Sequence, residues 1–110
     1  MTFNYRYTDA DRAFSEIDTA TLEKVEIEKL HFYHGWASYK NKNQKTAIHE
    51  WACLLNSNNF YYKSAACYFI GKYYLNNKKD KTTAISYFNR VSDQASKSKY
   101  ANFCRNMARD

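Results

Sequence analysis

The stretch Thr46-Ala47-Ile48-His49-Glu50-Trp51 has a counterpart in Thr83-Ala84-Ile85-Ser86-Tyr87-Phe88. In both, Ala-Ile is followed after two residues by a large aromatic. Upstream, Gly35 precedes Ala47 by twelve residues and Gly71 precedes Ala84 by thirteen, and the same period carried on from Gly71 reaches Met107. Self-similarity at a fixed period of about 20–50 residues marks repeat architectures. The pattern has a packing logic. A small residue on the first helix of a hairpin lets the second helix come close, where an alanine meets it. The aromatic one turn later is expected to fill the space between successive hairpins.

Apolar residues outside these stretches recur at helical spacing. Over residues 21–41, Val25, Phe32, Trp36 and Tyr39 form one stripe and Ile27, Leu30, His34 and Ala37 a second, so this helix packs on two sides or lines a groove. The polar run 41–44 reads as a turn, and 46–55 is a helix with Ala47, Ile48, Trp51, Leu54 and Leu55 on one stripe. Residues 57–59 close it and offer N-cap oxygens to a helix over 60–75. Asp80 is placed to cap a helix over 82–91, and Ser98 to cap a last one holding Tyr100, Phe103, Cys104 and Met107. The expected organisation is an acidic N-terminal segment, 1–20, with weak helix potential over 9–17 and a break at 18–19. A helical domain over 21–110 follows, with hairpins at about 21–56 and 60–93 and a terminal helix at about 98–108.

Composition agrees with an all-helical chain. Of 110 residues, 45% are hydrophobic and 18% aromatic, which is too apolar for disorder. Proline is absent and glycine occurs twice, whereas tightly turned β architectures draw on both. Three cysteines, Cys53, Cys67 and Cys104, sit at unrelated spacings in apolar stretches, as small hydrophobes do. Neither a disulfide framework nor a zinc site has that spacing. With no signal-like apolar run at the N-terminus, a soluble protein in the reducing cytoplasm is expected. The net charge of +6 is unevenly spread. Residues 1–28 hold seven acids and three bases, and the rest fourteen bases and four acids. Such asymmetry bears on partners, not on fold.

The segments His34-Gly35-Trp36-Ala37-Ser38-Tyr39-Lys40 through Ala47-Ile48-x-x-Trp51, and Ile70-Gly71-Lys72-Tyr73-Tyr74 through Ala84-Ile85-x-x-Phe88, together resemble the tetratricopeptide repeat. Ser98-Lys99-Tyr100-Ala101 resembles the opening of a further copy. The likeness covers about 29–110. It lacks the family's frequent proline after each hairpin, and His31, Cys67 and Phe103 stand where an early tryptophan is favoured. The resemblance implies antiparallel helical hairpins stacked as a short right-handed solenoid, with the first helices lining a concave face. On this chain that face would present Lys29, Phe32, Trp36, Tyr39 and Lys40 from the first copy, and Tyr68, Lys72, Leu75 and Asn76 from the second. An aromatic floor with basic edges suits a protein or peptide with acidic and apolar side chains. The family's carboxylate clamp is not reproduced. Two hairpins are few for a solenoid, so either self-association or the acidic N-terminal segment is expected to cover an open end.

Other chemistries are less well supported. Nucleic-acid binding would use the interleaved lysines and tyrosines, with Lys78, Lys79 and Lys81 at one turn and Lys40, Lys42 and Lys45 at the other. Basic turns are more often plain solvated loops. Glu28, His31 and His34 recur every three residues, a spacing that can present metal ligands, but no second cluster completes a shell, and Glu50 beside His49 points elsewhere. The two glycines lie too far apart for a phosphate loop. No catalytic group, metal or cofactor is assigned, and membrane association is not expected.

Overall fold

A computed structural model describes Ala13, Glu16 and residues 23–109; the expectations for 1–12, 14–15, 17–22 and 110 lie outside the described residues. The described chain is helical, without strands. From Lys24 on, five α-helices and one 3-10 helix follow in order: α1 (Lys24–Lys40), α2 (Gln44–Ala52), α3 (Phe60–Asn76), α4 (Lys81–Phe88), the 3-10 helix Ser92–Lys97, and α5 (Lys99–Arg109). No helix among the described residues is long and apolar enough to cross a membrane. The chain divides into two compact units, Met1–Leu54 and Leu55–Asp110.

In the first unit α1 and α2 pack as an antiparallel hairpin. Glu26 Oε1 accepts the Glu23 N–H at 3.0 Å at the start of α1, satisfying a donor that no helical carbonyl reaches. The turn is three residues long and passes through Lys42 at φ 65°, with the Asn43 N–H donating to Ser38 O at 2.8 Å. Asn43 then caps α2, its side chain accepting the Thr46 N–H. Of the two expected stripes on α1, the second faces inward. His34, Ala37 and Ser38 are buried with Ala47, Trp51 and Leu54, while Trp36 and Tyr39 of the other stripe are exposed.

The second unit repeats the hairpin with α3 and α4. Its turn has four residues instead of three and uses Lys79 at φ 55°. All three expected caps are present. The Asn59 side chain accepts the Tyr61 N–H at 3.0 Å, Asp80 accepts the Thr83 N–H at 3.1 Å, and Ser98 accepts the Ala101 N–H at 3.0 Å. Thr83 Oγ1 also donates to Asp80, and these bonds to the charged form hold the Asp80 carboxyl below its ordinary value. The core gathers Cys67, Ala84, Phe88, Val91, Ala101 and Cys104. The pairs Tyr61/Tyr100 and Tyr68/Phe103 advance together along the chain, and Leu75 and Met107 line one cleft further on, so α5 runs parallel to α3. A chain of hydroxyls joins them. Ser98 Oγ lies 2.7 Å from buried Ser64 Oγ, which in turn lies 2.8 Å from the Phe60 carbonyl. Because each hydroxyl donates once, Ser98 donates to Ser64 and Ser64 to the backbone.

Both glycines serve a close approach. A Cβ on Gly35 would stand 2.5 Å from Trp51 Cδ1, and one on Gly71 2.5 Å from Phe88 Cε1. Each aromatic thus lies on the glycine of its own hairpin, instead of filling space between hairpins as the sequence pattern suggested. Ala47 and Ala84 are fully buried beside them.

Three further features depart from the sequence reading. Residues 89–91 leave the helix expected over 82–91 and form a turn before the 3-10 segment, which carries a kink at Gln94 (φ −111°, ψ 30°). Cys53 is exposed because it caps the end of α2. Leu75 packs onto the core of its unit, which removes it from the outward face of α3.

Candidate functional site

On α1 the helical period sets the outward positions. Trp36 and Tyr39 are 37% and 39% exposed, and their rings stack with centroids 6.4 Å apart. Lys40, one turn beyond Trp36, places its ammonium 4.7 Å from that ring's centroid, where the quadrupole attracts a cation. Tyr39 is braced from beneath by buried Trp51 at 5.8 Å. Phe32 is half-buried and meets Tyr33 edge to face at 5.3 Å, and Tyr33 is itself 46% exposed. Lys29 is exposed on the same helix. Of the residues expected on this helix, Trp36, Tyr39 and Lys40 are therefore brought together.

On α3, Lys72 places its ammonium 5.3 Å from the Tyr68 ring centroid, again one helical turn away. Asn76 is exposed at the helix end. Phe32 and Tyr68 occupy the same offset from Gly35 and Gly71, so the two first helices present an aromatic at the same register.

The larger ring cluster lies along α3 and α5 and went unread in the sequence. Tyr100 is its centre, with ring centroids of Tyr61 and Phe69 at 5.3 Å, Tyr68 at 5.9 Å and Phe103 at 6.1 Å. Tyr61 and Phe103 flank it, 42% and 41% exposed. Lys99 places its ammonium 5.2 Å from the Tyr100 ring centroid. Burial, together with a hydrogen bond to the Tyr61 hydroxyl, pushes the Tyr100 phenol up to about 12. It stays protonated and neutral at physiological pH. The amphipathic pattern of α5 was visible, but which of its aromatics face out depends on how Ala101 and Cys104 seat against α3.

A second unforeseen grouping lies inside the first hairpin. Glu50 of α2 reaches back to α1, where Oε1 lies 2.7 Å from His31 Nδ1 and 3.3 Å from His34 Nδ1. Accepting from His31, the carboxylate oxygen requires that ring's Nδ1–H form. Glu28, expected beside the histidines, is not among the contacts that define this cluster. No group of three or more His, Cys, Asp or Glu among the described residues is arranged to hold a metal ion. Burial raises the thiols of Cys67 and Cys104, the latter to about 12, so neither supplies a thiolate nucleophile at neutral pH.

The described chain is thus an all-helical protein whose aromatic and cationic side chains sit together on outward helix faces. Comparison with protein-family models, curated proteins and solved structures finds no match.

Proposed function

We propose that this chain is a non-catalytic, cytoplasmic protein-interaction module of the tetratricopeptide-like kind, an adaptor or scaffold that binds a peptide or partner helix. The observation that carries the reading is the exposed Trp36–Tyr39 stack with Lys40 seated on it. Large rings left outside a helix whose other face is fully packed are the usual anchors of a binding surface, and arginine, tryptophan and tyrosine dominate such energies. The Tyr68–Lys72 pair offers the same chemistry on α3, with Asn76 beyond it. The partner residues under this reading are Lys29, Phe32, Trp36, Tyr39, Lys40, Tyr68, Lys72 and Asn76. Apolar anchors would meet the rings and carboxylates the lysines.

The tetratricopeptide-like part of the proposal is supported by a glycine–aromatic contact at matching places in both hairpins and by the parallel run of α3 and α5. The right-handed stacking of hairpins implied by the resemblance belongs to the same proposal. The cytoplasmic location draws on three free thiols, two of them in one core.

Selection of a displayed peptide library on the immobilised protein tests the function. The reading predicts enrichment of peptides pairing acidic with apolar residues. Trp36→Ala and Lys72→Glu should each weaken the selected peptides by about 5- to 100-fold, the effect of losing one good anchor. Peptides bound equally well by both variants and the parent chain would contradict it.

A further inference from the structure

The two units differ sharply in charge. Residues 1–54 carry seven bases and eight acids, whereas 55–110 carry ten bases and three acids, a net of +7. Within the second unit, α3 and α5 contain no carboxylate at all, against Lys63, Lys72, Lys99, Arg105 and Arg109. The exposed ring seam runs along these two helices. Tyr61 and Phe103 stand at its edges, Tyr100 fills its centre, and Lys72 and Lys99 lie over its rings. Two clefts of the unit, of about 380 and 290 Å³, are lined by other residues.

We infer that the α3–α5 seam of the second unit binds single-stranded nucleic acid, without sequence preference, by stacking bases on Tyr61, Tyr100 and Phe103 and placing phosphates on Lys72 and Lys99. Two features favour this occupant. A field of +7 with no carboxylate on either contributing helix attracts a polyanion, and a phosphate backbone supplies one charge per nucleotide. A row of rings suits flat ligands, because every base has a π-face and stacking tolerates any sequence. Duplex nucleic acid keeps its bases stacked on each other and gives the rings nothing to meet. The inference goes beyond the protein-binding reading and shares only Tyr68 and Lys72 with it.

The test is fluorescence anisotropy of the full chain with fluorescein-labelled oligouridylate and oligothymidylate, over a salt series. The comparison probes are the corresponding duplex and a labelled peptide of alternating glutamate and tyrosine. Both single strands should bind, the duplex more weakly, with affinity falling as salt rises. Tyr61→Ala and Phe103→Ala alter exposed side chains and should each lower single-strand affinity by about 5- to 100-fold. Lys99→Glu, at an exposed site, should lower it and flatten the salt dependence. Asn56→Ala, at an exposed site among neither set of residues, should leave it unchanged, while Trp36→Ala is read against the peptide, so the two readings fail separately. Three results would overturn it: no binding at low salt, equal binding of duplex and single strand insensitive to the ring variants, or preference for the acidic peptide at these same residues.

Discussion

Gly71→Ala is the substitution whose sign decides how the second hairpin is built. In an exposed helix interior, alanine in place of glycine stabilises by about 1 kcal/mol, because glycine has more backbone freedom to lose on folding. Here the new Cβ would stand 2.5, 2.8 and 2.9 Å from three carbons of the Phe88 ring. Carbon pairs rest at about 3.5–4.0 Å, so the ring must retreat by roughly 1 Å. Phe88 is 1% exposed and belongs to the core with Cys67, Val91 and Cys104, so it has little room to retreat. Overpacking of this kind costs about 1–3 kcal/mol. Set against the helical gain, the net change is a destabilisation of up to about 2 kcal/mol. Equilibrium unfolding in urea, followed by far-UV circular dichroism, reads it directly. A cycle with Phe88→Leu isolates the contact: if the ring is the obstacle, the double variant should be more stable than the two single effects added together. The coupling expected for touching residues is about 0.5–3 kcal/mol. Gly71→Ala that stabilises the chain, or effects that simply add, would refute the nesting of Phe88 on Gly71.

Four other expectations follow from the same geometry. Ser98→Ala removes both the α5 cap and the donor to buried Ser64, and should cost about 1–3 kcal/mol in the same unfolding assay. Glu50→Ala withdraws the acceptor of His31 and the carboxylate beside His34; a loss of about 1–3 kcal/mol is expected, with a smaller loss for Glu50→Gln, which retains an oxygen. Lys42→Gly and Lys79→Gly relieve left-handed backbone in the two turns and should each be neutral to stabilising, by up to about 1 kcal/mol, despite the usual cost of glycine. Stability should also decline as pH rises from about 9 towards 12. Cys104 keeps its proton to about 12 in the folded chain, against an ordinary value near 9, so the unfolded chain releases protons first across that window. Cys104→Ala should flatten the decline when unfolding is measured across this range.

Much of the fold was legible because its signals are local. Asn59, Asp80 and Ser98 each stand just before an apolar run with a side-chain oxygen ready for an orphan N–H, and each caps as expected. The extra residue in the second turn followed from the glycine-to-alanine spacings. The 3-10 segment 92–97 left no trace, since Ser-Asp-Gln-Ala-Ser-Lys has no apolar period and only Ala95 is buried. Sites that depend on two helices were harder to see. The spacing of His31 and His34 was evident, but their partner Glu50 lies nineteen residues from His31 and becomes visible only when the hairpin register is fixed. The ring seam likewise depends on the rotation of α5, which puts Cys104 inward and Phe103 outward. On α1 the sequence showed two apolar stripes, and the packing of Trp51 on Gly35 settled which one faces solvent.

The two-dimensional nitrogen–proton spectrum offers the most direct test of the hairpins, because the chain holds just two glycines. Both should be readily assigned, with α-protons shifted upfield by the rings above them and with Overhauser contacts from Gly35 to Trp51 and from Gly71 to Phe88. Glycine α-protons at ordinary positions, without those ring contacts, would mean that the helices do not nest this way and that the outward faces described on α1 and α3 are misplaced.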